Sequence, residues 1–167
     1  MEEFKRKTLI GNAERLAKIP DNMGVGKNLT AFISFTVAGE KVLLSAEHVI
    51  EVIKFKDVTP LPGVDEKLAG IYNFRGYVIG VFCSNKVFEL KRDVVVPKKY
   101  LLICNYENIN FAIACEDVAG IEHRDVESLL QGENKQLLPA FFSGVFEDSA
   151  RCVDIEKLIT NDILKIL

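Results

Sequence analysis

Few side chains in this sequence stand at spacings that could carry chemistry. Gly26-Lys27 has the ending of a phosphate-binding loop. That motif also needs Gly where Asp21 sits, Ser or Thr where Asn28 sits, and a strand before it. The residues before it instead form a helical pattern stopped by Pro20, so the letters make no nucleotide site. His48 and His123 could pair on a metal or serve as a base. Neither has a second ligand at helix or hairpin spacing, and both read as surface turn residues. Cys83, in Phe82-Cys83-Ser84-Asn85, could act as a nucleophile if a base or a helix end activated it. The sequence offers neither, which favours a buried Cys at a strand end. Glu116 and Asp117 are adjacent carboxylates, and neighbouring strand residues point to opposite faces, so they read as solvated turn charges. No Ser/His/Asp arrangement appears, and no residue set calls for a metal or cofactor.

Arg75 differs from these. It lies between Phe74 and Gly76 in a strongly apolar stretch, with Asn73 beside it. Its guanidinium can satisfy loop carbonyls, or stand exposed as an interface anchor, where Arg is enriched. The two roles are compatible.

The elements that must position such residues follow from composition and pattern. A chain of 167 residues is one domain by length and buries about 70% of its unfolded surface, enough for a core without staples. Hydrophobic residues at 49% and charged residues at 27% exclude a disordered chain. A net charge of −3 and a pI near 5.5 exclude a generally basic nucleic-acid binder. No apolar run reaches the roughly 18 residues of a membrane span, and the first residues lack the apolar core of a signal peptide. Cys83, Cys104, Cys115 and Cys152 have no metal spacing and no CxxC, as for buried thiols in a reducing cytoplasm.

Leu9, Ile10, Ala13, Leu16 and Ala17 recur at helical spacing, so residues 1–30 read as a helical arm and linker. Strand patterns begin at Ala31. Hairpin turns are expected at Ala38-Gly39-Glu40-Lys41, with Val42-Leu43-Leu44 returning as the partner strand, and at Arg75-Gly76, strands over residues 49–55 and 77–82, and an edge strand at Val94–Val96. The second half repeats the first at an offset of about 69 residues, with Glu107-Asn108 in the position of Ala38-Gly39. Asp154 caps a last helix carrying Ile155, Leu158, Ile159 and Ile163. The pattern predicts a mainly β fold of two small five-stranded barrels, with short helices at the two termini. Barrels of that size fill their interiors with side chains, which moves function to surfaces, loops and the seam.

Several segments together resemble the CheW-like family, the coupling proteins of bacterial chemotaxis. They are Val49-Ile50-Glu51-Val52, Thr59-Pro60-Leu61-Pro62-Gly63, and Leu68-Ala69-Gly70-Ile71-Tyr72-Asn73-Phe74-Arg75-Gly76 with the apolar strand after it. Glu116 to Ile121, Phe142-Ser143-Gly144-Val145 and Val153 to Leu158 agree in the second half. The sequence departs from the family pattern at Cys83-Ser84-Asn85, where Asp-Leu-Arg is usual, and at Phe74, Ala112 and Glu116.

The resemblance implies two intertwined five-stranded SH3-like β-barrels within residues 31–167. The subdomains are expected at roughly residues 31–90 and 91–153, with the chain crossing over at the end. It also implies a non-enzymatic adaptor joining chemoreceptor cytoplasmic tips to the regulatory domain of the histidine kinase CheA. Val49, Glu51, Gly70, Asn73 and Arg75 match the receptor-binding motif. Contacts between unlike barrel ends are heterologous and can close into rings, including rings with further copies of the chain. Such an adaptor needs no cofactor, does not bind nucleic acid and does not insert into the membrane. An adaptor of a chemosensory pathway controlling pili, second messengers or gene expression shares this reading. A thiol enzyme using Cys83 is the reading from another class.

Overall fold

The computed structural model describes residues 28–91, 95–130 and 138–166. The helical arm expected over residues 9–17 and Val94 lie outside them. Among the described residues, ten strands form two five-stranded sheets. The first half contributes β1 (Leu29–Val37), β2 (Glu40–Ser45), β3 (Val49–Lys54), β4 (Leu68–Phe74) and β5 (Tyr77–Cys83), followed by the short helix α1 (Ser84–Val87). The second half contributes β6 (Tyr100–Tyr106), β7 (Ile109–Cys115), β8 (Asp117–Asp125), β9 (Phe142–Val145) and β10 (Arg151–Val153), followed by α2 (Ile155–Leu158). A π-helical stretch, Ile159–Ile163, and α3 (Leu164–Ile166) continue α2. No helix among the described residues is long and apolar enough to cross a membrane.

The repeat seen in the sequence is a repeat of strands, and the two copies exchange them. One sheet has the order β8-β1-β2-β10-β9 and the other β3-β6-β7-β5-β4. Each takes two strands from the start of one repeat and three from the end of the other, in the same relative order. The exchange makes the two parallel pairings, β2 with β10 and β5 with β7. Each joins strands from different repeats, as parallel neighbours require a long connection. The expected division into residues 31–90 and 91–153 is therefore corrected. One SH3-like module comprises 49–115, and the other combines 29–45 with 117–153. A linear reading divides the chain at its repeat boundary, whereas pairing divides it where the chain changes sheets.

Turn chemistry fixes the hairpins. Ala38-Gly39, Arg75-Gly76 and Glu107-Asn108 all have positive φ at both residues. They close Val37↔Glu40, Phe74↔Tyr77 and Tyr106↔Ile109 as two-residue turns, whose twist matches the flanking strands. At the first of these, a non-glycine in the left-handed region costs about 1–2 kcal/mol. The buried Glu116 carboxylate offsets this there, accepting from Ala38 N at 2.8 Å and Gly39 N at 3.3 Å. Glu116 is thus not the solvated turn charge expected from sequence. Only Asp117 is exposed, and the chain passes at this pair from β7 to β8, which belong to different sheets.

Side-chain alternation divides the interior into three. Ile53, Phe74, Ile79, Val81, Leu101 and Ile103 fill one module, and Phe32, Leu43, Phe146 and Cys152 fill the other. The intervening residues, among them Phe35, Leu44, Phe82, Leu102, Phe111 and Ile113, form the largest cluster, between the sheets. Fully burying a side chain of this size stabilises by about 1.5–3 kcal/mol. Leu158, Ile159 and Ile163 pack on this seam from a helix capped by Asp154, which accepts from Lys157 N at 3.2 Å. Val95 and Val96 are not in a strand, contrary to expectation, and Val95 is almost fully exposed.

Candidate functional site

The β4–β5 hairpin brings exposed apolar and charged side chains together. Arg75 is held at φ 53° in its turn, with 67% of its side chain exposed. Its guanidinium donates to Glu51 Oε2 on β3 across 3.3 Å and lies 4.9 Å from the centroid of the Phe74 ring. Asn73 supports the turn by accepting from Gly76 N at 2.9 Å. The left-handed backbone costs about 1–2 kcal/mol. An exposed ion pair returns about 0–1 kcal/mol and the ring contact about 0.5–1 kcal/mol. These offset one another, so Arg75 adds little to folding and stays available to a partner.

Tyr77 and Val78 follow Arg75 and are 71% and 67% exposed. Alternation in the apolar run Tyr77–Phe82 marks a strand but does not say which of its residues lack a cover, so sequence missed them. On β3 the ladder shifts between Val49 and Glu51, leaving Ile50 exposed between them. Val49 is half-buried, with its side chain packed on the seam. Glu51, Asn73, Arg75, Tyr77 and Val78 thus belong to β3 and the hairpin tip, and Val49 to the start of β3.

Gly70 plays another part. It is buried at φ 153°, and a Cβ there would meet Thr59 O at 2.3 Å. Thr59 and Ile71 exchange two backbone hydrogen bonds, each 2.9 Å, so the Pro-rich connection is laced directly over Gly70. Gly70 positions this side of the module without presenting a side chain of its own.

The other module has a corresponding corner with the charges exchanged. Asp148, in the β9–β10 turn, takes the place of Arg75, and Arg124 on β8 lies on the strand corresponding to β3. Arg124 contacts Asp148 and Glu122 at 2.6 Å each, and Lys41 contacts Glu122 at 2.7 Å and Asp148 at 3.3 Å. The guanidinium of Arg124, with help from Lys41, holds the Asp148 carboxyl down at about 2. Burial pushes Glu122 up, but hydrogen bonds from Lys41, Arg124 and Ser34 outweigh it and lower it. Four residues spread from Lys41 to Asp148 left no local signal in the sequence.

The remaining candidates do not converge. His48 precedes β3, within 3.4 Å of Glu47 and edge-on to Tyr106, whereas His123 lies on β8 in the other sheet. Among the described residues no three His, Cys, Asp or Glu side chains gather as metal ligands would. Cys83 is half-buried beside a cleft of about 310 Å³ that Lys98 and Glu116 also line. Its thiol donates to Asn85 Oδ1 at 2.9 Å, an amide oxygen that is no base. The other three thiols are buried, and burial pushes Cys104 and Cys152 up and Cys115 up to about 12.

The arrangement suits contact between proteins. The chemotaxis protein CheW of Bacillus subtilis (strain 168) is 26% identical over 106 residues, which span 62% of this chain and 68% of that protein. The crystal structure of the scaffolding protein TtCheW from Thermoanaerobacter tengcongensis superposes with a TM-score of 0.69 at 20% identity, over 83% of this chain and 92% of that one. The family model for the CheW-like domain matches residues 31–162, and the chain belongs to that family.

Proposed function

We propose that this chain is a non-enzymatic chemotaxis adaptor that couples chemoreceptor cytoplasmic tips to the regulatory domain of the kinase CheA. Its receptor-facing surface consists of Val49, Glu51, Asn73 and Arg75, shaped from below by Gly70, with Tyr77 and Val78 as added apolar anchors. The observation that carries the reading is the exposed Arg75–Glu51 pair beside two exposed apolar side chains on one hairpin. Interfaces draw their energy from a few such anchors, Arg and Tyr above all. A regulated contact of this kind buries on the order of 1,200 Å² or less. Signalling is then a shift in how receptor, adaptor and kinase sit together, with no bond made or broken in this chain.

The test is Arg75→Glu in the full chain, assayed against receptor tips and against the kinase regulatory domain. At least a tenfold loss of receptor binding with an unchanged melting temperature supports the assignment. Wild-type affinity for both partners overturns the site, and absence of binding to either partner by the wild-type chain overturns the function.

A further inference from the structure

Strand directions place the Glu51–Arg75 corner and another exposed surface at opposite ends of the 49–115 module. In the sheet β3-β6-β7-β5-β4, β3 pairs antiparallel with β6, β6 with β7 and β5 with β4, while β5 and β7 run parallel. One end therefore holds the start of β3 and the β4–β5 turn, with Glu51 and Arg75. The other holds the end of β3 and the starts of β6 and β4. Phe55 N donates to Lys99 O at 2.8 Å and carries the β3–β6 ladder to this other end. Thr59 pairs antiparallel with Ile71, so the connection after it runs to the same end before it returns at Leu68.

Three large apolar side chains are exposed there, Phe55 and Leu61 at 37% each and Val64 at 41%. Exposed hydrophobic residues scattered singly are ordinary, whereas several gathered at one end and rimmed by charge mark an interaction surface. The rim here is basic. Lys54, Lys56 and Lys99 are exposed. Lys54 and Lys99 have no ion-pair partner among the described residues, and Lys56 has Asp57 at 3.9 Å. The other carboxylates at this end are engaged. Asp65 accepts from Lys67 N at 2.8 Å, Glu66 pairs with Lys86 at 2.8 Å, and Glu116 is buried against the Ala38-Gly39 turn. In a chain of net charge −3, this end keeps uncompensated positive charge.

We propose that this end of the module is a second docking surface, for a protein segment that carries carboxylates around apolar side chains. Phe55, Leu61 and Val64 supply the apolar contact, and Lys54, Lys56 and Lys99 select an acidic partner over a basic one. The connection is held in shape before anything binds. Thr59 and Ile71 pin one side of it, Leu68 N donates to Asp65 O at 3.0 Å on the other, and Pro60 and Pro62 stiffen it between. Little chain entropy is then lost on docking. Exposed charges set selectivity and encounter rate more than affinity, so the contact is weak, selective and sensitive to salt. It lies at the opposite end of the module from Arg75, so both surfaces can be occupied at once. The inference rests on the chemistry of this end and is independent of the adaptor reading.

The test is an NMR titration of the full chain with a synthetic amphipathic peptide of glutamate, leucine and alanine, and with its counterpart in which lysine replaces glutamate. The acidic peptide should shift the amides of residues 54–56, 61, 63, 64 and 99 and bind at least about tenfold more tightly than the basic one, a preference that fades in ~1 M salt. Lys54→Glu combined with Lys99→Glu should abolish the preference with the melting temperature unchanged, and Arg75→Glu should leave it intact. Equal binding of the two peptides overturns the proposal, as does a preference that survives the lysine substitutions or is lost in Arg75→Glu. Shifts confined to residues 51 and 75–78 overturn it too. So does an acidic peptide that leaves this end unshifted, whether or not phosphatidylglycerol vesicles bind there.

Discussion

Arg75 and Glu51 join the two ends of one sheet. In the order β3-β6-β7-β5-β4, Glu51 lies on the first strand and Arg75 in the turn that leads out of the last. Their 3.3 Å contact spans the opening where the sheet curls back on itself. An exposed ion pair contributes too little to hold a barrel closed, and the bridge between Thr59 and Ile71 already protects the β4 edge. A partner carboxylate can therefore take Arg75 from Glu51 at small cost to the fold.

Arg75→Gly separates stability from recognition. Glycine accepts the left-handed turn freely, removing about 1–2 kcal/mol of backbone cost, against the loss of about 0–1 kcal/mol from the ion pair and about 0.5–1 kcal/mol from the contact with the Phe74 ring. Thermal unfolding should show a melting temperature close to that of the wild type, while titration against receptor tips shows weakened binding.

Gly70→Ala should destabilise by more than about 2 kcal/mol, because the new Cβ is driven into Thr59 O and the backbone leaves glycine territory. Urea unfolding measures the loss. A midpoint within error of the wild type would mean that the connection over Gly70 is free to lift.

Asp148 has a folded-state value near 2, below the ordinary 3.8 of an aspartate. Its pairing with Arg124 and Lys41 thus contributes stability above about pH 4, and that contribution is lost as pH falls from 4 towards 2. Asp148 is partly exposed, so solvent screening keeps the effect small. The urea midpoint followed across this range should fall less steeply in Asp148→Asn than in the wild type.

Thiol labelling of the folded chain should stop at one adduct. Cys83 is half-exposed at the cleft, while Cys104, Cys115 and Cys152 are buried and their thiolates disfavoured. Mass spectrometry after a short exposure to a maleimide should find the label on Cys83, and the other three should react only under denaturant.

Glu116→Ala removes the acceptor for Ala38 N and Gly39 N at a turn that Ala38 enters in the left-handed region. The expected loss is about 1–3 kcal/mol. Hydrogen exchange at Ala38 and Gly39 should rise well above that at Glu107 and Asn108, the corresponding turn of the second repeat.

Much of this molecule is local and could be read along the chain. Alternating apolar residues marked most of the strands, though Val95 and Val96 form none, turn residues marked the three hairpins, and Asp154 marked the start of the last helix. The repeat, the Arg75 turn and the match of Glu51 and Asn73 to a family motif were equally visible, because each depends on residues close in sequence. The tertiary structure decided which strands pair. Runs such as Leu101 to Cys104 are apolar on both faces, which erases the alternation that would assign them to a sheet. Two similar repeats can therefore exchange strands without leaving a trace in the pattern. The same long-range choice buried Glu116 and Gly70, left Tyr77 and Val78 uncovered, and brought Lys41 to Asp148. Those outcomes depend on which surfaces meet, and a one-dimensional pattern records only how apolar each surface is.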